Sequence, residues 1–175
     1  MRRRTIVQGD HAVATEPGIV LTTVIGSCIA VCLADPVARV GGMNHFLLGE
    51  PGREQLLERD HLQRYGIHAM EVLINAMMSH GAERGRLRAH LYGGANMVAG
   101  LGNIGGLNAQ FARRFLATEG IVVAHEDVGG RSARRVEFLP HEGRARCVHV
   151  ARAPVQRPTR AVERQDRSGE LELFR

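Results

Sequence analysis

The residues of this chain best equipped for chemistry are a thiol at Cys28, directly after Gly26-Ser27, and an imidazole at His45, seventeen positions further on. A Cys/His pair is the minimum set of parts for a cysteine hydrolase. The imidazole takes the thiol proton and stays as a cation beside a thiolate that is otherwise only a few per cent populated near neutral pH. The ring also needs an orienter to fix its tautomer, and Thr22, Thr23, Asn44, Ser27 and several acidic residues qualify on chemistry alone. Glycine at 26 permits a sharp turn, so the backbone N–H groups of Ser27 and Cys28 can form an oxyanion hole. Such a site attacks the acyl carbon of an amide, an ester or a thioester.

The same residues have plainer readings. Cysteine is among the most buried residue types, so Cys28 beside Ile29-Ala30-Val31 also fits a small core hydrophobe, the role read for Cys32 and Cys147. His45, between Asn44 and Phe46, also fits a hydrogen-bonded core histidine. A zinc site drawn from Cys28, Cys32, His45, His141, Cys147 and His149 lacks the paired spacing of a tetrahedral set. Gly93-Gly94-Ala95-Asn96-Met97 and residues 100–106 lack the Lys-Ser/Thr of a phosphate loop and read as close helix packing or an active-site wall. No metal and no cofactor is expected.

The elements that must position the pair follow from pattern. Residues 28–34 are apolar without a break, as in a strand buried on both faces. Asp35-Pro36 signals a turn, and a strand over 40–48 carries Gly41-Gly42 as a bulge or close backbone contact. With Asp35 to Ala38 as a four-residue turn, antiparallel partners sum to 73, which sets Cys28 directly across from His45 with Cβ atoms about 4.5–5.5 Å apart. Strands are also expected at 5–7, 19–23, 87–92, 121–127, 134–139 and 145–151. One helix runs from about Asp60 to a stop at Gly81, with Leu62, Tyr65, Met70, Leu73, Ile74, Met77 and Met78 at helical spacing, and a second covers 107–118 with Gly120 as its stop. Residues 50–59 read as a mobile loop.

Length and composition bound the function. The 175 residues, 44% hydrophobic, suffice for one core, so 1–152 reads as a single catalytic domain and the polar, Pro- and Arg-rich 153–175 as a flexible tail, with 170–174 alternating like an edge strand or docking peptide. The net charge of +5 rests on 23 arginines and no lysine. These lack the interleaved aromatics or known motif of a nucleic-acid site, and read instead as a basic surface suited to an acidic protein partner. Three unevenly spaced cysteines make no disulfide framework, and no apolar run is long enough for a leader or a membrane span. A soluble cytoplasmic protein without membrane insertion is expected.

Taken together the motifs resemble CheD, the chemoreceptor glutamine deamidases. The likeness lies in Gly26-Ser27-Cys28 with the following Ala-Val-Cys-Leu, Asp35-Pro36, and Gly-Gly-Met-Asn-His-Phe at 41–46. It continues through Tyr65-Gly66, Ala69-Met70, Gly93 to Met97, Ile104-Gly105 with Asn108, and Asp127-Val128-Gly129-Gly130, over residues 5–151. The chain departs from that pattern at Arg131-Ser132-Ala133. The resemblance implies a Cys28, His45 and Thr22 catalytic set, preferring Thr22 over Thr23. It implies an α/β layered sandwich with mixed sheets and two main helices, similar to cytotoxic necrotizing factor-type deamidases. It also implies hydrolysis of glutamine side chains on the cytoplasmic helices of methyl-accepting chemoreceptors to glutamate, with ammonia released, by a monomer that also meets a CheC-type phosphatase. A receptor- or phosphatase-binding adaptor with little or no catalysis is the alternative from another class.

Overall fold

The computed structural model describes residues 1–48, 56–98, 100 and 102–151, with the side chains of 56–63 excepted. The tail expected at 153–175 and most of the loop expected at 50–59 lie outside the described residues.

Strand β4 (Ile29–Asp35) is the centre of the molecule and is buried along its whole length. It pairs antiparallel with β5 (Val40–Phe46) on one side and with β6 (Arg88–Gly93) on the other. Beyond these lie β2 (His11–Ala14) and β7 (Val122–Val128), giving a five-stranded sheet ordered β2-β5-β4-β6-β7. A second sheet, ordered β1-β3-β8-β9, contains β1 (Arg2–Thr5), β3 (Ile19–Ile25), β8 (Ala133–Leu139) and β9 (Arg144–Val150). The β1–β3 and β6–β7 pairs are parallel and the rest antiparallel, so both sheets are mixed. Strand β2 was not expected from the sequence; four residues give too short an alternation to stand out.

Two helices, α1 (Leu56–Ser79) and α2 (Ile104–Thr118), cover one face of the five-stranded sheet, and the four-stranded sheet covers the other. Helix α1 begins earlier than the expected Asp60 and turns Met70, Leu73, Ile74 and Met77 onto Ile29, Val31, Leu33 and Phe46. Each fully buried side chain of this size contributes about 1.5–3 kcal/mol. On its other face β4 shows only Ala30, Cys32 and Ala34 to Leu21, Ile25, Val136 and Phe138. Large residues on one face and small ones on the other let helices and a second sheet pack on the same strand. The architecture is the expected layered α/β sandwich with two main helices.

Candidate active site

His45 lies near the end of β5 with its ring in the layer between the two sheets, only 2% exposed. Facing it from β3 is Thr23, equally buried and on the same strand face as Leu21 and Ile25. The Thr23 hydroxyl donates its one hydrogen to the Ile6 carbonyl at 2.7 Å, and its oxygen stands 3.0 Å from His45 Nδ1. Nδ1 also lies 3.4 Å from the Ile6 carbonyl, which can only accept. Both neighbours of Nδ1 are therefore acceptors, so Nδ1 carries the proton and Nε2 is left with a lone pair. Burial lowers the ring's pKa, outweighing the opposing bond to the Ile6 carbonyl, and the ring is a neutral base.

Thr22 was expected to orient the ring, and here the structure corrects the sequence reading. Successive strand residues point to opposite faces, so with Thr23 turned inward, Thr22 is turned out of the layer that holds the ring. It is half-buried, paired with Thr5 and Glu137 in the ladder. The Thr22 carbonyl accepts from the Ile6 N–H at 2.8 Å, so its backbone holds the carbonyl-bearing residue that Thr23 bonds.

Cys28 stands just before β4, and the β4–β5 partners sum to 75, not the expected 73. His45 is therefore opposite Ala30. The Asp35 carboxylate accepts the N–H groups of both Val37 and Ala38, and Arg39 takes a left-handed conformation (φ 55°), so the hairpin loop has four residues, 36–39. A slip of two keeps every side chain on its face. Cys28 and His45 still share the inter-sheet side, as diagonal neighbours about 7–8 Å apart in regular geometry, somewhat less between Cβ atoms. No bulge interrupts the pairing; Gly41 is instead where the Pro140 backbone approaches, 2.5 Å from where a Cβ would be.

The thiol is 9% exposed, and burial pushes its pKa up to about 11, with its own backbone N–H pulling the other way. Among the described residues its hydrogen-bond acceptor is the Gln8 side-chain oxygen at 3.6 Å, not the His45 ring. The resting site thus holds a neutral thiol and a neutral imidazole, where the sequence reading expected a thiolate–imidazolium pair.

The turn that carries Cys28 is fixed by its carbonyls. Ala95 N–H donates to Gly26 O (2.9 Å) and Gly94 N–H to Cys28 O (2.8 Å). Gly93 has φ +109°, and a Cβ there would stand 2.2 Å from Cys28 O, so only glycine fits. Gly94 meets the Gly105 carbonyl and Ala109 of α2, the close helix packing that was one of the two roles read from the sequence, while Gly93 forms a glycine wall behind the cysteine turn. Buried Asn108 of α2 donates to Ser27 O (2.8 Å) and accepts from Leu48 N–H (3.1 Å), tying the cysteine turn to the end of the histidine strand. Among the described residues the N–H groups of Ser27 and Cys28 meet no acceptor on another residue, which leaves both available to a developing oxyanion.

Arg134 is a residue that sequence reasoning missed. Only 2% exposed, it donates to Asp127 (2.9 and 3.1 Å) and to the carbonyls of Gly129 (2.8 Å), Ser132 (3.2 Å) and Gly93 (3.4 Å), bracing the glycine wall from behind. Its only signal was an arginine inside an alternating apolar strand. The other weighed ligands stand away from the Cys28 and His45 pair: His149 and Cys147 both meet Asp127, His141 bonds the Thr15 carbonyl, and Cys32 is sealed in the core. Among the described residues no group of three or more His, Cys, Asp or Glu is placed to hold a metal, and no helix is long and apolar enough to cross a membrane.

Residues 47–149 match the family model described as CheD chemotactic sensory transduction. A relative from Zymomonas mobilis subsp. mobilis, named a probable chemoreceptor glutamine deamidase CheD, is 52% identical over 99% of this chain and 93% of its own. Relatives of the same name from Caulobacter sp. strain K31 and Acidiphilium cryptum are 49% and 47% identical, over 97% and 99% of this chain and 91% and 94% of theirs. Among solved structures, the Bacillus licheniformis hypothetical protein YfiH superposes with a TM-score of 0.44 at 15% identity, covering 70% of this chain and 50% of that one, a likeness too slight to carry weight.

Proposed function

Because this chain belongs to the CheD family, we propose that it is a protein-glutamine deamidase that converts glutamine side chains of chemoreceptors to glutamate, with Cys28 as nucleophile and His45 as the proton-transfer group. The observation that carries the reading is the locked ring. With Nδ1–H held by the Thr23 oxygen, His45 presents a basic Nε2 on the sheet face it shares with Cys28.

As Sγ attacks the glutamine Cδ, Nε2 takes the thiol proton and the carbonyl oxygen turns onto the Ser27 and Cys28 N–H groups. Nε2 returns that proton to the departing nitrogen, the C–N bond breaks, and ammonia leaves a γ-glutamyl thioester on Cys28. A water deprotonated at Nε2 attacks the same carbon, the C–S bond breaks, and the sulfur recovers a proton as glutamate departs. Met97 is exposed and lies against Gly26 of the cysteine turn, giving it an apolar rim suited to a protein substrate. The substrate is a cytoplasmic receptor helix, the enzyme works as a cytoplasmic monomer, and a CheC-type phosphatase competes for this rim.

Incubation with a soluble receptor cytoplasmic domain tests this. Each amide converted to acid changes the intact mass and releases ammonia, and Cys28→Ala abolishes both while remaining folded. A stable complex with unaltered receptor mass makes the protein an adaptor; wild-type turnover by Cys28→Ala removes the thiol from the mechanism.

A further inference from the structure

The group that touches the nucleophile is itself a glutamine side chain. Gln8 Oε1 accepts the Cys28 S–H at 3.6 Å. Its backbone is pinned around the histidine strand: Gly9 N–H donates to the His45 carbonyl (2.7 Å), His45 N–H donates to the Asp10 carbonyl (3.1 Å), and Asp10 N–H closes the turn on Val7 O (2.9 Å). Gly9, at φ +87°, makes the tight reversal possible. Gln8 itself is exposed, so its side chain can swing away while its backbone stays in place.

We propose that Gln8 is a resident occupant of the substrate-amide position, its carboxamide seated on the Cys28 sulfur where the carboxamide of an incoming glutamine has to sit. The contact is nonproductive by orientation. The sulfur meets the oxygen instead of the carbon, and the S–H proton points at Gln8 and not at His45 Nε2. The Gln8 oxygen is spent on the thiol instead of the Ser27 and Cys28 N–H groups, so its carbonyl is not polarised for attack. A hydrogen bond to the neutral thiol also favours that form. The site is therefore closed until a partner glutamine displaces Gln8, and Gln8 sets how readily any given amide gains the sulfur. What displaces it rests on the deamidase reading; the occupancy itself does not.

The test is the rate at which iodoacetamide, a small carboxamide electrophile, alkylates Cys28 in the full chain, read by peptide mass so that Cys32 and Cys147 are counted separately. Gln8→Ala and Gln8→Asn, the second keeping the amide on a stem one methylene too short, each alkylate about fivefold faster than wild type, the worth of one neutral hydrogen bond. Both also show a lower apparent KM for a receptor fragment, and thermal melting verifies that they are folded. Alkylation at the wild-type rate in both variants overturns the proposal. So does the appearance of glutamate at position 8 in the wild-type protein, since Gln8 is then a substrate. Faster alkylation with no receptor deamidated by any variant supports the occupant and sinks the deamidase reading; deamidation with unaltered alkylation rates does the reverse.

Discussion

The two faces of β4 and β5 differ in kind. Toward the helices, Ile29, Val31, Leu33 and Phe46 meet Met70, Leu73, Ile74 and Met77, a layer in which apolar bulk provides the cohesion. Toward the other sheet, the same strands offer Cys28, Ala30, Cys32, Met43 and His45. Ile6, Leu21, Ile25, Val136 and Phe138 fill that layer around the small β4 side chains, and within it the Thr23 hydroxyl of β3 and the Ile6 carbonyl, just after β1, hold the ring. Both faces bury apolar cores, but only the inter-sheet face holds the histidine ring and the cysteine among them.

Substitutions can separate the two. Leu73→Ala on the helix side should cost about 2–5 kcal/mol in denaturant unfolding, while the protein that remains folded keeps its alkylation chemistry at Cys28. Thr23→Val on the other side should lower kcat about ten- to a hundredfold by releasing the ring, with Thr23→Ser restoring most of it. Thr22→Val, on the outer face of β3, should lower it far less; an equal loss from both would return the orienting role to Thr22. A loss of stability in Thr23→Val as large as in Leu73→Ala would erase the contrast between the faces.

The smallest effect concerns the hairpin that joins the strands. Burial pulls the Asp35 pKa up, but Arg86 and the N–H groups of Glu83, Ala38 and Val37 outweigh it and hold the carboxyl well below the ordinary range. In the unfolded chain it titrates at about 4, so its contribution is complete above that pH and is lost as the pH falls below it. Asp35→Asn should flatten that acid limb of a melting-temperature profile; an unaltered limb would mean that other carboxylates set it.

Much of this arrangement is legible in the sequence. The unbroken apolar run of β4, the helical spacing in α1 and the glycine stops at 81 and 120 all follow from burial and periodicity. The shared face of Cys28 and His45 survives because the register error was even. The error itself came from the Asp35 side chain recruiting two N–H groups and from a left-handed arginine, neither of which periodicity records. Thr23 had a signal, for Leu21, Thr23 and Ile25 alternate inward, yet the likeness to relatives favoured its neighbour. Asn108, as a positioning residue, and Arg134 were harder, because each works by bonding backbone carbonyls brought near by the folded chain.

The locked ring also constrains how hydrogen ions move through the proposed reaction. With its inner nitrogen sealed between a hydroxyl and a carbonyl, the imidazole has a single door. Whatever enters from sulfur can go out only through that same opening, either back to the thiol or onto the nitrogen being expelled. Sulfur's loss and ammonia's departure are thereby strokes of one piston, and a visiting amide that fails to leave simply hands the enzyme back its starting state.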